Sequence, residues 1–308
     1  MQFNRRTAEK IKREIEKKEN LFYKKYPEAL ISYFDFYSLN FDNTRHYFGN
    51  FISSEENIAY HIFERKQKST ATIVVVHGYL EHSGLNTGIF GHLLEKGYNV
   101  AVFDLPGHGL SSGKRGEVSD FSKYSSILND FLKICSKHSG RKYYILGHST
   151  GCSAIIDYLM NYNNIFEKII LAAPLVRSRF WKLSMLGLFL FGNIIKGLHR
   201  KYAGTSNNKS FIEFMKKDPL NVNFVPIPWI WALKEWNKKN LSYPRKNLSV
   251  NIIQGTCDSV VEYKYNIKFI EKHFSDTDIN YIEGASHSLL NEVPEIAKKV
   301  LSCIDSYI

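Results

Sequence analysis

Tyr143-Tyr144-Ile145-Leu146-Gly147-His148-Ser149-Thr150-Gly151 reads as a short apolar strand that runs into a tight glycine-bounded turn. Cys152 to Tyr162 then reads as a helix. A continuous apolar run of this length suits a strand covered on both faces of a parallel sheet. The same unit recurs on either side. Buried strands are expected at 71–76, 98–103, 168–172, 250–253 and 279–282, with helical stretches at 90–96, 121–136, 152–162 and 294–307. Strands alternating with helices imply right-handed crossovers and a mostly parallel central sheet flanked by helices, an α/β fold.

Two regions depart from that rhythm. Residues 45–66 alternate around a turn at 53–57, which suggests a hairpin. Between the fourth and fifth strands lie about seventy residues that look helical and aromatic, punctuated by Pro219, Pro226, Pro228 and Pro244. Their ends fall between strands that should be neighbours, so they read as an inserted helical cap. The expected organisation is a charged extension at 1–44, core at 45–174, cap at 175–245 and core again at 246–308. Residues 1–30 read as a charged helix with Ile11 and Ile15 four apart, a solvated or loosely docked extension.

Composition excludes several classes. Of 308 residues, 44% are hydrophobic and 14% aromatic, too apolar for a disordered chain. A chain this long buries roughly three quarters of its unfolded surface and needs no staples. Cys135, Cys152, Cys257 and Cys303 are too sparse for a disulfide framework and too scattered for a metal site. They read as reduced thiols in a cytosolic chain. Residues 1–20 lack the apolar run of a secretory signal. The longest uncharged apolar stretch, Leu183 to Ile195, is 13 residues, short of the ~20 needed to span a bilayer. It suits a buried helix or one lying at an interface. No metal or organic cofactor is expected.

Gly147-His148-Ser149-Thr150-Gly151 fits G-x-S-x-G between a strand and a helix, the context in which a strained turn projects a serine at the carboxyl edge of a sheet. A serine hydroxyl needs a base, and the base needs a carboxylate to orient it. The chain order nucleophile, acid, histidine places these partners after later strands. Asp258 follows the fifth buried strand and His287 the sixth, both where open α/β sheets build their sites. Glu262 and Asp278 are weaker candidates for the acid, and His273 for the base. An oxyanion needs donors. The loop His77-Gly78-Tyr79-Leu80 after the first buried strand supplies one, so the backbone amides of Tyr79 and Thr150 are assigned to it. His77 reads as a brace for this loop.

At this point the resemblance becomes specific. His77-Gly78-Tyr79-Leu80-Glu81-His82-Ser83-Gly84, then Asp104-Leu105-Pro106-Gly107-His108-Gly109-Leu110-Ser111, then Gly113-Lys114-Arg115-Gly116, then the serine turn, resemble the monoacylglycerol lipase/lysophospholipase (serine aminopeptidase-like) group of α/β-hydrolases. The blocks keep family order and spacing over roughly 45–175 and 245–300. The resemblance implies Ser149 as nucleophile, Asp258 and His287 as its partners, and hydrolysis of acyl esters of monoacylglycerol or lysophospholipid type. Thr150 stands where the group often has Met, and Pro106 where it often has Arg. The cap shows no match, so substrate identity is not carried over.

The chain carries a net +11. Residues 175–245 hold 13 Lys and Arg against 3 acidic residues, a local +10, together with all four tryptophans. Phe180, Phe189 and Phe191 lie among apolar residues flanked by Lys182 and Lys196. Basic residues beside aromatics fit contact with an anionic membrane surface. Aromatics that pack the cap and line a dry acyl pocket fit equally, and the two are compatible. No nucleic-acid motif accompanies the charge. The expected activity is a serine carboxylic-ester hydrolase acting on a small, lipid-like acyl ester, cytoplasmic and peripheral to membranes. A thioesterase, small-ester esterase or peptidase of the same fold, or a non-catalytic lipid-binding module, are the alternatives.

Overall fold

The computed structural model describes residues 2–16, 27–138 and 142–308. Helices α1 (Arg5–Glu16) and α2 (Glu28–Phe36) precede the hairpin β1 (Thr44–Ser53) and β2 (Glu56–Arg65). Its two-residue turn, Ser54 and Glu55, has φ of 51° and 68°. Two positive φ values in succession match the twist of the flanking strands.

Then come β3 (Thr72–Val76), α3 (Thr87–Glu95), β4 (Asn99–Phe103), α4 (Ser122–His138), β5 (Tyr143–His148), α5 (Thr150–Asn161) and β6 (Phe166–Ala172). The cap contributes α6 (Trp181–Phe191), β7 (Gly197–His199), α7 (Lys209–Lys217), β8 (Phe224–Pro226) and α8 (Ile227–Asn240). The core resumes with β9 (Lys246–Gly255), α9 (Tyr263–His273), β10 (Phe274–Ile282) and α10 (Pro294–Tyr307). No helix among the described residues is long and apolar enough to cross a membrane.

The main sheet has eight strands in the order β1-β2-β4-β3-β5-β6-β9-β10. β1 pairs antiparallel with β2, and β2 with β4; all other neighbours are parallel. β3, β4 and β5 are buried along their whole length, because helices cover both faces. Helices α4, α5 and α9 pack one face around Phe131, Ile155 and Ile270. The other is covered by α1, α2, α3 and α10 around Tyr33, Phe90 and Ile304. β6 pairs directly with β9 through Ile170↔Asn251 and Leu171↔Ile252. The intervening cap is therefore inserted between adjacent strands.

Three differences from the sequence expectations have physical causes. The cap is not all helical, since β7 and β8 form a small antiparallel pair. These strands are only three residues long, too short for a period to show. Residues 1–30 are not one helix: α1 and α2 are separate, and residues 1 and 17–26 of that stretch lie outside the described residues. Nor is the described part solvated. Phe3, Ala8, Ile11 and Ile15 are buried against Tyr33, Tyr37 and the sheet. Ala8, Ile11 and Ile15 form one stripe of α1 at helical spacing, which the surrounding charges mask in composition. The Asn50 and Asn57 side-chain amides donate to the Ile15 carbonyl at 3.1 and 2.9 Å and satisfy the end of α1.

Candidate active site

The turn between β5 and α5 is tight. Ser149 sits at φ 51°, ψ −111°, outside the regions that non-glycine residues favour. Close packing enforces it: a Cβ on Gly151 would run into the Val76 carbonyl, and one on Gly147 would lie 2.6 Å from Ile155 Cδ1. The Ser149 N–H donates to the Ala172 carbonyl of β6 at 3.0 Å, which anchors the turn to the sheet. Strain held by surrounding structure is characteristic of functional turns.

Asp258, in the loop after β9, and His287, in the loop after β10, converge on this serine. His287 Nδ1 lies 2.8 Å from Asp258 Oδ2, and Nε2 lies 2.9 Å from Ser149 Oγ. Asp258 Oδ1 accepts from the backbone N–H of Val260 at 2.8 Å and Val261 at 3.1 Å. The Gln254 side-chain amide donates to Oδ2 at 3.1 Å. Burial alone would raise this carboxyl. The imidazole charge and these hydrogen bonds outweigh it and bring Asp258 down to about 2. An ionised carboxylate only accepts, so Nδ1 carries the proton and Nε2 is left to accept from the serine hydroxyl. Glu262, Asp278 and His273 make no hydrogen bond to Ser149 or His287; His273 donates within α9, to the Phe269 carbonyl at 2.7 Å.

Tyr79 and Thr150 flank Ser149 from the end of β3 and the start of α5, and both line the same cleft. Neither backbone N–H meets a protein acceptor among the described residues. His77 braces the loop. The Leu105 N–H donates to its Nε2 at 2.9 Å, so Nδ1–H donates to the Gly78 carbonyl at 2.8 Å. Burial lowers its pKa and keeps the ring neutral, as that arrangement requires.

Three contacts around the site have no separate mark in the sequence. His148 lies between Glu81, 3.1 Å from Nδ1, and the His287 carbonyl, 3.0 Å from Nε2. For Glu81 burial opposes ionisation, but the His148 charge and hydrogen bond win and lower it to about 2. His148 is raised, because Glu81 outweighs desolvation. The cap supplies the other two. Trp229 of α8 stacks on the Tyr79 ring at 3.8 Å and 15°. Arg200, just past β7, donates to the Leu80 carbonyl at 2.7 Å, and Leu80 itself holds φ 61°. These partners are 67 to 150 positions apart in the chain, and only tertiary structure joins them.

Ser149 opens into a cleft of about 870 Å³ between core and cap. Most of its wall is apolar: Leu188, Phe191, Ile195, Val225, Ile227 and Ile230. Trp181, Trp229 and Trp236 are buried, whereas Phe180, Phe189 and Phe191 are exposed. These three tryptophans thus hold the cap to the body, Phe180 and Phe189 face outward, and Phe191 is exposed at the cleft wall.

Comparison with known proteins agrees with this fold. The family described as "Serine aminopeptidase, S33" matches residues 67–294. A monoglyceride lipase homolog of Monkeypox virus is 30% identical over 246 residues, 77% of this chain and 89% of that one. The monoglyceride lipase of Mus musculus is 29% identical over 251 residues, 77% of this chain and 82% of its own. Among solved structures, a soluble variant of monoglyceride lipase from Saccharomyces cerevisiae, in complex with a substrate analog, superposes with a TM-score of 0.70 at 19% identity. It covers 84% of this chain and 93% of that one.

Proposed function

The chain belongs to the serine aminopeptidase S33 family of α/β-hydrolases and is a lipid carboxylic-ester hydrolase, and on that premise we propose that it cleaves monoacyl lipid esters through an acyl-enzyme on Ser149. The observation that carries the reading is the hydrogen-bonded chain Ser149–His287–Asp258 at the mouth of an apolar cleft. His287 Nε2 takes the hydroxyl proton as Ser149 Oγ attacks the ester carbonyl. Asp258 holds the ring and stabilises the imidazolium. The N–H groups of Tyr79 and Thr150 receive the oxyanion. His287 then protonates the leaving alcohol, and water repeats the sequence to release the fatty acid. The apolar wall takes the acyl chain.

The cap would bring the enzyme to its substrate. Phe180, Leu183, Leu186, Phe189, Leu190 and Ile194 are all more than half exposed. They lie on α6 and its flanks beside Lys182 and Lys196, as a segment resting on an anionic lipid surface requires.

A fluorophosphonate probe tests the mechanism. It should label the wild type and not Ser149→Ala, and the variant should lose roughly 10⁴-fold or more in kcat. Esters, thioesters and aminoacyl amides of matched chain length then test the substrate class. Wild-type turnover by Ser149→Ala, or a preference for aminoacyl amides, defeats the reading.

A further inference from the structure

Remote parts of the chain grip the loop around Tyr79 at three points. The cap meets the Tyr79 ring through Trp229 and the Leu80 carbonyl through Arg200. The third point lies three residues past Tyr79, at His82. The Gly84 N–H donates to His82 Nδ1 at 3.2 Å, so Nε2 carries the proton and donates to Asp218 Oδ2 at 2.8 Å. Asp218 stands at the end of α7 in the cap. Its other oxygen, Oδ1, accepts from the Leu220 N–H at 2.7 Å and from the Tyr37 hydroxyl. Tyr37 ends α2, in the segment that precedes the family match at 67–294. Tyr37, His82 and Asp218 are all buried. Burial opposes ionisation of Asp218, but the adjacent imidazole and these hydrogen bonds outweigh it and lower its pKa, so the carboxylate accepts from both sides. Burial and the Asp218 charge push the Tyr37 hydroxyl up, so it keeps the proton that it donates.

Tyr37 also touches the loop directly. Its ring meets the His82 ring edge-on at 5.0 Å, and a Cβ on Gly84 would lie 2.6 Å from Tyr37 Cγ. Beside it, Phe36 stacks on Phe214 of α7 at 5.5 Å and 28°. Phenylalanine would fill the same space without the cost of burying a hydroxyl. The hydroxyl instead ends on a carboxylate that the loop shares. We propose that Tyr37 is a positioning residue for the reaction: through Asp218 and His82 it fixes the far end of the loop whose Tyr79 N–H receives the oxyanion, which gives the N-terminal segment a part in catalysis. The proposal rests on the hydrolase reading above and adds a residue to that same site. Tyr37 acts through the relay and touches no reacting atom. A loop released at His82 carries the Tyr79 N–H with it, and a misplaced donor weakens stabilisation of the developing charge. That interaction is stronger in the transition state than in the bound ester, so the loss falls on kcat.

Three variants of the full-length protein test the relay on a monomeric short-chain ester, each assayed well below its melting temperature. Tyr37→Phe removes the hydroxyl and keeps the ring against Gly84. It should lower kcat about tenfold, the effect of one hydrogen bond to a charged group, and leave KM within about twofold. Asp218→Asn can keep its oxygen toward Tyr37 and Leu220 while its NH2 group faces the His82 Nε2–H, so it cuts the relay at the other end. It should lower kcat similarly. Adding Tyr37→Phe to it should cost less than about twofold more, because both changes break one connection. Phe131→Leu, buried in α4 on the opposite face of the sheet, should lower the melting temperature and leave kcat unchanged. Wild-type kcat in Tyr37→Phe overturns the proposal. So do losses that multiply in the double variant, or a kcat loss in Phe131→Leu as large as that in Tyr37→Phe. Any of these with fluorophosphonate labelling of the wild type intact sinks the relay alone. Absence of labelling in the wild type sinks the parent reading instead.

Discussion

In the proposed mechanism Ser149, His287 and Asp258 divide one proton transfer among them, and each can be tested by what remains without it. Asp258→Asn keeps the shape but lets the side chain donate, which reverses the imidazole tautomer. It should lower kcat by roughly 10⁴-fold while the protein still folds. A steady-state assay beside a melting curve checks both. Glu81 and His148 lie immediately behind and make a different prediction. Glu81 sits at about 2, below its usual value, so its stabilisation is complete above the unfolded carboxylate range and fades as pH falls toward 2. His148 is raised, so its stabilisation is complete below the unfolded imidazole value and fades as pH climbs through the raised one. The pair is therefore strongest between about pH 4.3 and 6.5. The melting temperature lost in Glu81→Gln should be largest near pH 5.5 and shrink as pH rises past the raised imidazole value of His148. A loss that is constant with pH would mean the pair is not ionised. The serine, acid and histidine are legible from the sequence because each follows a recognisable strand in a fixed order. Glu81 and His148 lie within quoted motif blocks, yet nothing in either block says that they touch.

Elements, more than single residues, set the loop proposed to receive the oxyanion. Tyr79 leaves β3 in a short turn whose own bonds are few: the Glu81 N–H donates to the Gly78 carbonyl at 3.3 Å, and the Gly78 N–H to Glu81 Oε2 at 3.1 Å. The cap completes it, with Trp229 of α8 on the Tyr79 ring and Arg200 on the Leu80 carbonyl. Removing the indole should let the Tyr79 N–H drift from the developing charge. Trp229→Ala should therefore lower kcat by roughly 10–100-fold, since small misplacements near the reaction cost about that much. KM should move much less. Affinity for a boronic acid that mimics the tetrahedral intermediate should fall with kcat, and Trp229→Phe should restore much of both. A change confined to KM would reduce Trp229 to a wall of the acyl cleft. At the opposite end, α1 and α2 reach the cap through Tyr37, which donates to Asp218 while Asp218 pairs with His82 at 2.8 Å. Ile11→Ala, at a fully buried position of α1, should cost about 2–5 kcal/mol in denaturant unfolding. A cost below about 0.5 kcal/mol, the range of surface substitutions, would mean α1 does not dock. The parallel strands are readable because each is an uninterrupted apolar run. The docking of α1 and the cap's grip on the Tyr79 loop are not, because both are made by residues that look like surface or generic core until their partners are known.

Across the whole molecule the charge is uneven: residues 175–245 hold +10 of the net +11. Those residues also form the roof of the cleft and carry the exposed apolar face of α6, so charge, grease and cleft share one side. That arrangement suits delivery of a lipid from an anionic surface straight into the cleft. Each Lys or Arg near such a surface contributes about 1 kcal/mol of attraction, and the exposed apolar side chains add their own burial. Phe189 is 80% exposed and is absent from the cleft lining. Phe189→Asp should weaken sedimentation with vesicles containing phosphatidylserine, and raised salt should weaken the wild type in the same assay. Vesicles of neutral lipid should bind far less of the wild type. Turnover of vesicle-embedded monoacyl lipid should fall with binding, by more than turnover of a monomeric short-chain ester. Equal binding of the two vesicle types, unaffected by salt, would leave the cap's charge without this role. Equal losses on both substrates would assign Phe189 to folding of the cap instead of to the surface it meets.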